Sequence, residues 1–387
     1  MLLLDQPFVS NFLRQTLVEH KLPVINTRGA ESLNLPAETW LVPEETAVNC
    51  FRDNPTQLLY SNSENSLDWV ATNLDFGDLP RQVALLKDKV RFRELIKSLY
   101  PDFQFQAVAA NVLDRLEPGA LPLPFIIKPS VGFFSIGVHK VSAVEEWPEV
   151  LNLIQRELAE VTAAFPEQVL DTTTFIIEAC LPGDEYAIDA YFDEQGNPVI
   201  LNVMYHPFGS AYDVSDRAYI TSKAILSRYF DEFTSLLYEI GALAELRNFP
   251  LHAEVRIGAD ERIVPIEFNP LRFGGWCAVD MAHFAFGINP YLMFLQGQKP
   301  DWGRILPQKG EEITGLIVLD RSGPLATAPV SHFDEQRLLS QFTRPLDWRP
   351  IDFNRYPVFG FLFVETAGGY RTEIDAILQS DLSEFVK

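Results

Sequence analysis

Met1-Leu-Leu-Leu-Asp5 has the apolar run of a buried strand, and Val9 to Lys21 carries Phe12, Leu13, Leu17 and Val18 at helical spacing. Leu22-Pro-Val-Ile25 then returns to strand. This βαβ opening predicts an open α/β unit to about residue 86, and without a GxGxxG fingerprint it implies no dinucleotide. Next comes a helix with Phe92, Leu95, Ile96 and Leu99 on one face and Lys89, Arg93 and Lys97 on another, stopped by Pro101. From Leu121 to Asp193 the pattern alternates Phe125–Lys128, Val138–Val141, a helix from Glu145 to about Ala164, Thr174–Glu178 and Tyr186–Phe192, which predicts a small α+β unit. Downstream, Val199–Met204 reads as strand and Tyr219–Leu246 as largely helical. His252–Ile257 and Ile263–Phe268 read as a hairpin across Gly258-Ala-Asp260, and helix returns near Val279–Phe286. A tail from about Ile313 holds two strand-like runs, Gly315–Leu319 and Val358–Val364, and reads as a small C-terminal unit.

Composition narrows the function. With 31 basic against 53 acidic residues the net charge is −22, which repels nucleic acid and anionic membrane surfaces. The Leu2–Leu4 run is too short for a signal peptide, and nothing approaches the ~20 apolar residues of a membrane span, so a cytoplasmic protein is expected. Three scattered cysteines, Cys50, Cys180 and Cys277, suggest neither a disulfide framework nor a zinc site. Against the acidic background, Lys87 to Lys97 carries five basic residues in eleven, an excess that a small anionic ligand would explain.

Three segments carry candidate chemistry. In Phe125-Ile-Ile-Lys-Pro-Ser-Val-Gly-Phe-Phe-Ser-Ile-Gly-Val-His-Lys-Val141 a lysine ends an apolar strand and a turn with Gly132, Ser135 and Gly137 follows. Such a turn frees N–H groups for phosphate oxygens beside a point charge; an ordinary hairpin with a snorkelling lysine has the same pattern. Val138-His139 stands where a P-loop needs Lys-Ser/Thr, which excludes that motif. In Phe175-Ile-Ile-Glu-Ala-Cys-Leu-Pro-Gly-Asp-Glu185 a strand breaks at Pro182-Gly183 between Glu178 and Glu185. Its backbone could read a planar base and its carboxylate a ribose, or both acids could be solvated turn residues. In His252-Ala-Glu-Val-Arg-Ile257 and Ile263-Val-Pro-Ile-Glu-Phe-Asn-Pro270, alternation puts His252, Glu254 and Arg256 on one face and Glu267 and Asn269 on another. Two carboxylates and an amide oxygen are donors of the kind Mg²⁺ takes, the alternative being the solvent side of a hairpin. Arg272-Phe-Gly-Gly275 follows as a second anion-friendly turn. His206, Asp213 and Arg217 belong to a polar loop that either contacts an acceptor substrate or is solvated, and Cys277 and His283, six residues apart on one predicted helix, read as core.

In this order, over roughly residues 85 to 300, these residues resemble the ATP-grasp superfamily, and in particular carboxylate–amine ligases like D-alanine:D-alanine ligase. Lys128-Pro-Ser-x-Gly-x-x-Ser-x-Gly-Val138 resembles the lid loop, Glu178-x-x-Leu-x-Gly-x-Glu185 the adenosine-binding break, Glu254 with Glu267-x-Asn269-Pro270 the metal triad, and Asp88-Lys89 the start of the nucleotide-binding half. The resemblance implies an α/β protein with two α+β lobes gripping ATP, an N-terminal domain over 1–86, an ATP-grasp domain over 87–302 with its lid lobe at about 121–182, and a small C-terminal domain over 303–387. It implies Lys89, Lys128, Ser135 and Gly137 on the phosphates, Glu178 and the backbone of Ala179 to Leu181 at the adenine, Glu185 on the ribose, and two Mg²⁺ ions, replaceable by Mn²⁺, on Glu254, Glu267 and Asn269. The implied reaction activates a small-molecule carboxylate as an acylphosphate and joins it to an amine, with a homodimer allowed. Alternatives within the resemblance are a carboxylase, a phosphoryl transferase, or a non-catalytic regulatory subunit. Many members place Arg two residues after the metal-binding Asn; here Leu271 stands there and Arg272 follows. His252 stands where peptide-forming members often have Arg, so Arg256 on the same face is the candidate to compensate, His252 being either catalytic or a hydrogen-bonded strand residue.

Overall fold

The computed structural model describes residues 1–132, 137–161, 173–209, 217–326, 328–367 and 370–387. The chain folds as two compact units: Met1–Gly183 with Ala190–Val199 and Thr234–Cys277, and Asp184–Asp189 with Ile200–Phe233 and Ala278–Lys387.

The first unit opens with a four-stranded parallel sheet in the order Leu41–Val42, Val24–Ile25, Leu2–Leu3, Tyr60–Ser61. The strand Leu2–Leu3 is buried, as the apolar opening predicted, and so are Val24, Ile25 and Tyr60 beside it, while Leu41 at the sheet's edge is exposed; the helix Asn11–Glu19 begins where Ser10 caps the Leu13 amide. A second sheet, antiparallel, runs Phe105–Ala109, Thr174–Ala179, Phe125–Pro129, His139–Val141. Phe125, Ile127, Phe175 and Ile177 alternate onto the side that Trp147, Val150 and Ile154 of the helix Trp147–Val161 cover, so period-2 strands meet a period-3.6 helix over one apolar layer. The third element is the hairpin Phe249–Ile257 and Ile263–Pro270, with the helix Leu79–Lys87 packed on its second strand and Phe92 of the helix Lys89–Ile96 5.0 Å from Phe268, ring to ring.

In the second unit Ala218–Thr221, Ile313–Asp320, Val358–Thr366 and Pro345–Pro350 pair antiparallel in that order. Ile317, Leu319, Leu362 and Val364 meet Ile374 and Ile377 of the helix Thr372–Gln379. Arg349 and Asp280 form a buried pair at 2.9 Å, and the Tyr291 hydroxyl donates to the other Asp280 oxygen at 2.7 Å.

Several expectations shift. Tyr219–Thr221 is strand, because Ala-Tyr-Ile-Thr pairs with Ile313–Asp320 on one side and, at Ile220, with Tyr205 on the other; helix begins only at Lys223. The tail holds a further strand, Pro345–Pro350. Cys277 and His283 do not share a helix: Trp276 and Cys277 take left-handed φ of 54° and 59° before the helix Met281–Phe286, and His283 is exposed rather than core. The face expected to be uniformly basic divides, since Lys89 and Arg93 are buried while Lys97 is exposed.

Candidate active site

One residue, Asp88, sets the geometry of the first lysines. It ends the helix Leu79–Lys87 and caps the next, its carboxylate accepting from the Val90 and Arg91 amides at 2.9 and 3.3 Å. Lys87 and Lys89 thus flank a fixed corner, and their ammonium groups donate to one oxygen, the carbonyl of Gly132, at 2.9 and 3.4 Å. Lys89 also pairs with Glu267 at 2.9 Å, and its amide donates to the Ser130 carbonyl at 2.7 Å, tying this corner to the segment after Lys128.

The hairpin register sets Glu254 directly opposite Glu267 and His252 opposite Asn269, with a β-bulge following the Glu254 pair. The Asn269 amide donates to Glu267 at 3.0 Å, and the His252 ring lies 3.4 Å from Glu254. The three expected oxygen donors are therefore brought together on adjacent strands. Among the described residues no group of three or more His, Cys, Asp or Glu side chains converges as a metal site. Burial would raise the Glu267 carboxyl, but Lys89, Lys87 and Lys128 hold it well below the usual carboxylate range.

Glu178 is shared: Lys128 takes one oxygen at 2.6 Å and Arg93 the other at 2.7 Å. Arg93 also donates to the Pro265 carbonyl at 2.5 Å and lies over the Phe103 ring. A second shared carboxylate is Glu64, in a Ser-rich polar segment whose sequence carries no functional signal. It accepts from Lys87 on one oxygen and from the Arg272 Nε and Nη2 on the other at 3.0 and 2.6 Å. The Leu271–Arg272 departure has a structural cause. Buried Leu271 takes a left-handed φ of 60°, its carbonyl accepts from the Ser61 amide at 2.7 Å, and the turn delivers Arg272 onto Glu64. A leucine in that conformation costs about 1–2 kcal/mol, a strain of the kind found at functional sites.

Burial alone would lift both shared carboxyls. Lys87 and Arg272 instead hold Glu64 at about 2, and Arg93 and Lys128 hold Glu178 at about 2, against an ordinary 4.5. Because the folded values lie lower, the unfolded chain binds more protons between these limits. The stability these pairs contribute is complete above about pH 4.5 and is lost as pH falls toward about 2. The urea midpoint is therefore expected to hold steady from about pH 7 to about pH 5.5 and to drop below about pH 4.5. A flat profile through that window would show that the carboxylates are not paired in this way.

At the strand break the Ala179 and Cys180 amides donate to the carbonyls of Gln104 and Pro124 at 3.0 and 3.2 Å. The Leu181 carbonyl accepts from Arg256 at 3.1 Å, beside a cavity of about 200 Å³ lined by Tyr100, Phe103, Pro182 and Val264 among others. Arg256 thus reaches the break. Gly183 is obligatory there, with φ of 107° and a Cβ that would stand 2.0 Å from the Ile257 carbonyl oxygen. Gly183→Ala is expected to cost at least about 1 kcal/mol in a urea titration; an unchanged midpoint would refute the close approach.

In the second unit Glu185 is buried in the strand Asp184–Phe192, 3.4 Å from the ring of His206, which stacks on Tyr219 with centroids 4.5 Å apart. His206 ends a strand, and Arg217 pairs with Asp320 at 2.8 Å, so neither lies on a solvated polar loop. Gly137 has φ of 72°, a conformation suited to glycine. Ser135 and Asp213 lie outside the described residues. Lys87, Arg93 and Glu64 belong to none of the three segments that carry candidate chemistry in the sequence. The basic excess around Lys87 to Lys97 is the only signal for the two cations, and Glu64 has none.

Over residues 121–280 the chain is matched by the model of the ATP-grasp domain. More particularly, it is similar to the D-alanine--D-alanine ligase of Haemophilus influenzae (strain PittEE), 33% identical over 135 residues, 34% of this chain and 39% of that protein. The chain therefore matches well under half the length of that relative. In fold it is similar to the L-amino acid ligase of Bacillus licheniformis (TM-score 0.66, 16% identity, 100% of this chain and 97% of that one). It is also similar to the N5-carboxyaminoimidazole ribonucleotide synthetase of Thermotoga maritima (TM-score 0.63, 12% identity, 100% and 98%).

Proposed function

We propose that the protein is an ATP-dependent ligase that activates a carboxylate as an acylphosphate and joins it to an amine, releasing ADP and phosphate. The observation that carries this reading is that, in one unit, Lys89 pairs with Glu267 at 2.9 Å and meets Lys87 at the Gly132 carbonyl, with Glu254 opposite Glu267 and Asn269 beside it. Two carboxylates and an amide are hard oxygen donors on adjacent strands, so Glu254, Glu267 and Asn269 fit Mg²⁺ and would hold two ions, with Mn²⁺ able to replace them. Held by these residues, the metal would supply neutralisation of phosphate oxygens and polarisation of the phosphorus.

The chain's own residues supply the rest. Lys89 and Lys128 hold phosphate oxygens with Ser135 and Gly137 of the lid loop, and Arg93 keeps Glu178 ionised at the end of the strand that leads to the base. With Ala179 and Cys180 committed to Gln104 and Pro124, the base is read from Leu181 and the strand carbonyls, and we assign Arg256 to positioning that break. Glu185 takes the ribose. A substrate carboxylate oxygen attacks the γ-phosphorus as the bond to ADP breaks, with Arg272 steadying the acylphosphate and His252 beside Glu254. An amine then attacks the acyl carbon, the C–O bond to phosphate breaks, and the amine proton leaves to solvent. Positioning and charge neutralisation do this work, since phosphoryl transfer moves few protons.

We take residues 1–86, 87–302, with a lid lobe at about 121–182, and 303–387 as the three domains of this enzyme, and a homodimer as its assembly, which light scattering would check. Among the described residues no helix is long and apolar enough to cross a membrane, and Cys50, Cys180 and Cys277 are free thiols; both support a cytoplasmic site of action. The decisive assay is ADP release with Mg²⁺-ATP against amino acids, hydroxy acids and dicarboxylates, singly and in pairs, with products weighed by mass spectrometry. Turnover that needs two components and yields their condensation product is expected; a stable phosphorylated product without an amide would overturn the ligase reading.

A further inference from the structure

Resting on that reading, we infer that Lys87 is a third phosphate-binding lysine, directed at the phosphoryl group in transfer. Lys87 belongs to no assigned motif, yet it is only 5% exposed and Lys89 only 7%. Two buried ammonium groups donate to a single neutral carbonyl, that of Gly132, at the root of the glycine turn that follows Lys128. Like charges brought together in a poorly solvated place are costly unless an anion answers them. Glu267 answers Lys89 and Glu64 answers Lys87.

The order of contacts says which part of the nucleotide Lys87 faces. Lys89 and Lys87 meet at the Gly132 oxygen, and Lys87 and Arg272 meet at Glu64. Lys87 therefore stands between the lysine assigned to the phosphates and the arginine assigned to the acylphosphate, which is where the transferred group passes. In the ion pairs of this cluster five cations, Lys87, Lys89, Lys128, Arg93 and Arg272, share three carboxylates, Glu64, Glu178 and Glu267. Glu64 holds Lys87 and Arg272 on its two oxygens, so their mutual placement is fixed through a single side chain.

A lysine that meets only the terminal phosphate discriminates triphosphate from diphosphate, whereas a merely structural lysine does not. The test is calorimetric binding of AMP-PNP and of ADP, each with Mg²⁺, to the full chain and to Lys87→Met, Lys87→Arg and Lys89→Met. Lys87→Met is expected to weaken AMP-PNP by about tenfold or more, the weight of one charge-assisted contact, and to leave ADP within about twofold. Lys87→Arg should retain most of the AMP-PNP affinity, and Lys89→Met should weaken both nucleotides. Should Lys87→Met fold poorly, Lys87→Met with Glu64→Gln removes both charges of the pair and must show the same selective loss. Equal weakening of both nucleotides, or of neither, overturns the assignment of Lys87 while leaving the ligase reading intact. A wild-type chain that binds neither nucleotide removes the ligase reading and this inference with it.

Discussion

Replacing Lys128 with methionine is expected to reduce ADP release by about a hundred- to a thousandfold, the loss typical of one preorganised charge-stabilising donor. The lysine is buried at the end of Phe125–Pro129, and nothing else on that strand carries a positive charge. The same change should do little to folding. Glu178 would keep Arg93 at 2.7 Å, so the buried carboxylate retains a cation and the nonpolar methionine stem fills much of the lysine's volume. A coupled ADP assay and a thermal melt on the same preparation separate the two effects. Undiminished turnover would remove Lys128 from the nucleotide site, and a collapse of the melt would mean that Lys128 rather than Arg93 sustains Glu178.

Removing Glu178 itself should have the opposite profile. Glu178→Ala leaves Arg93 and Lys128 buried with no shared anion, and breaking a buried pair from one side costs about 3–5 kcal/mol. Arg93 is 2% exposed and already bridges to the Pro265 carbonyl, so it cannot swing out to water without disturbing the hairpin. Chemical denaturation should register this as a large fall in midpoint, whatever the substrates prove to be. A loss under about 1 kcal/mol would mean that the two cations find other anions or solvent. The pair of variants thus divides the cluster: Lys128 is expected to matter for turnover and Glu178 for the integrity of the layer behind it.

Much of this organisation is legible in the amino-acid sequence. The runs at Phe125–Ile127, Thr174–Ile177 and Val358–Val364 form strands because short apolar stretches rich in β-branched and aromatic residues act locally, as the short apolar run at Leu2–Leu3 also does, and Asp88 caps the helix after it for an equally local reason. The spacing of Lys128, Glu178, Glu254, Glu267 and Asn269 carries the resemblance, and the ATP-grasp domain is present. Where local signals conflict, tertiary context wins. Tyr219–Thr221 lies beside a long helical pattern and yet is strand, because strands on both sides offer it hydrogen bonds that a helix start does not.

The sequence by itself determined the secondary structure of the long apolar segments and the match to the ATP-grasp domain over residues 121–280. Those follow from periodicity and from chemistry carried within a few neighbouring residues. Only the tertiary structure decided that Glu64, 208 residues before Arg272, is the carboxylate that holds it. It likewise decided that Arg93 shares Glu178 with Lys128, and that Arg256 turns to the Leu181 carbonyl. The physical reason is that a buried charge must be answered by whichever opposite charge or dipole the fold brings within hydrogen-bond reach, and sequence separation places no limit on that choice.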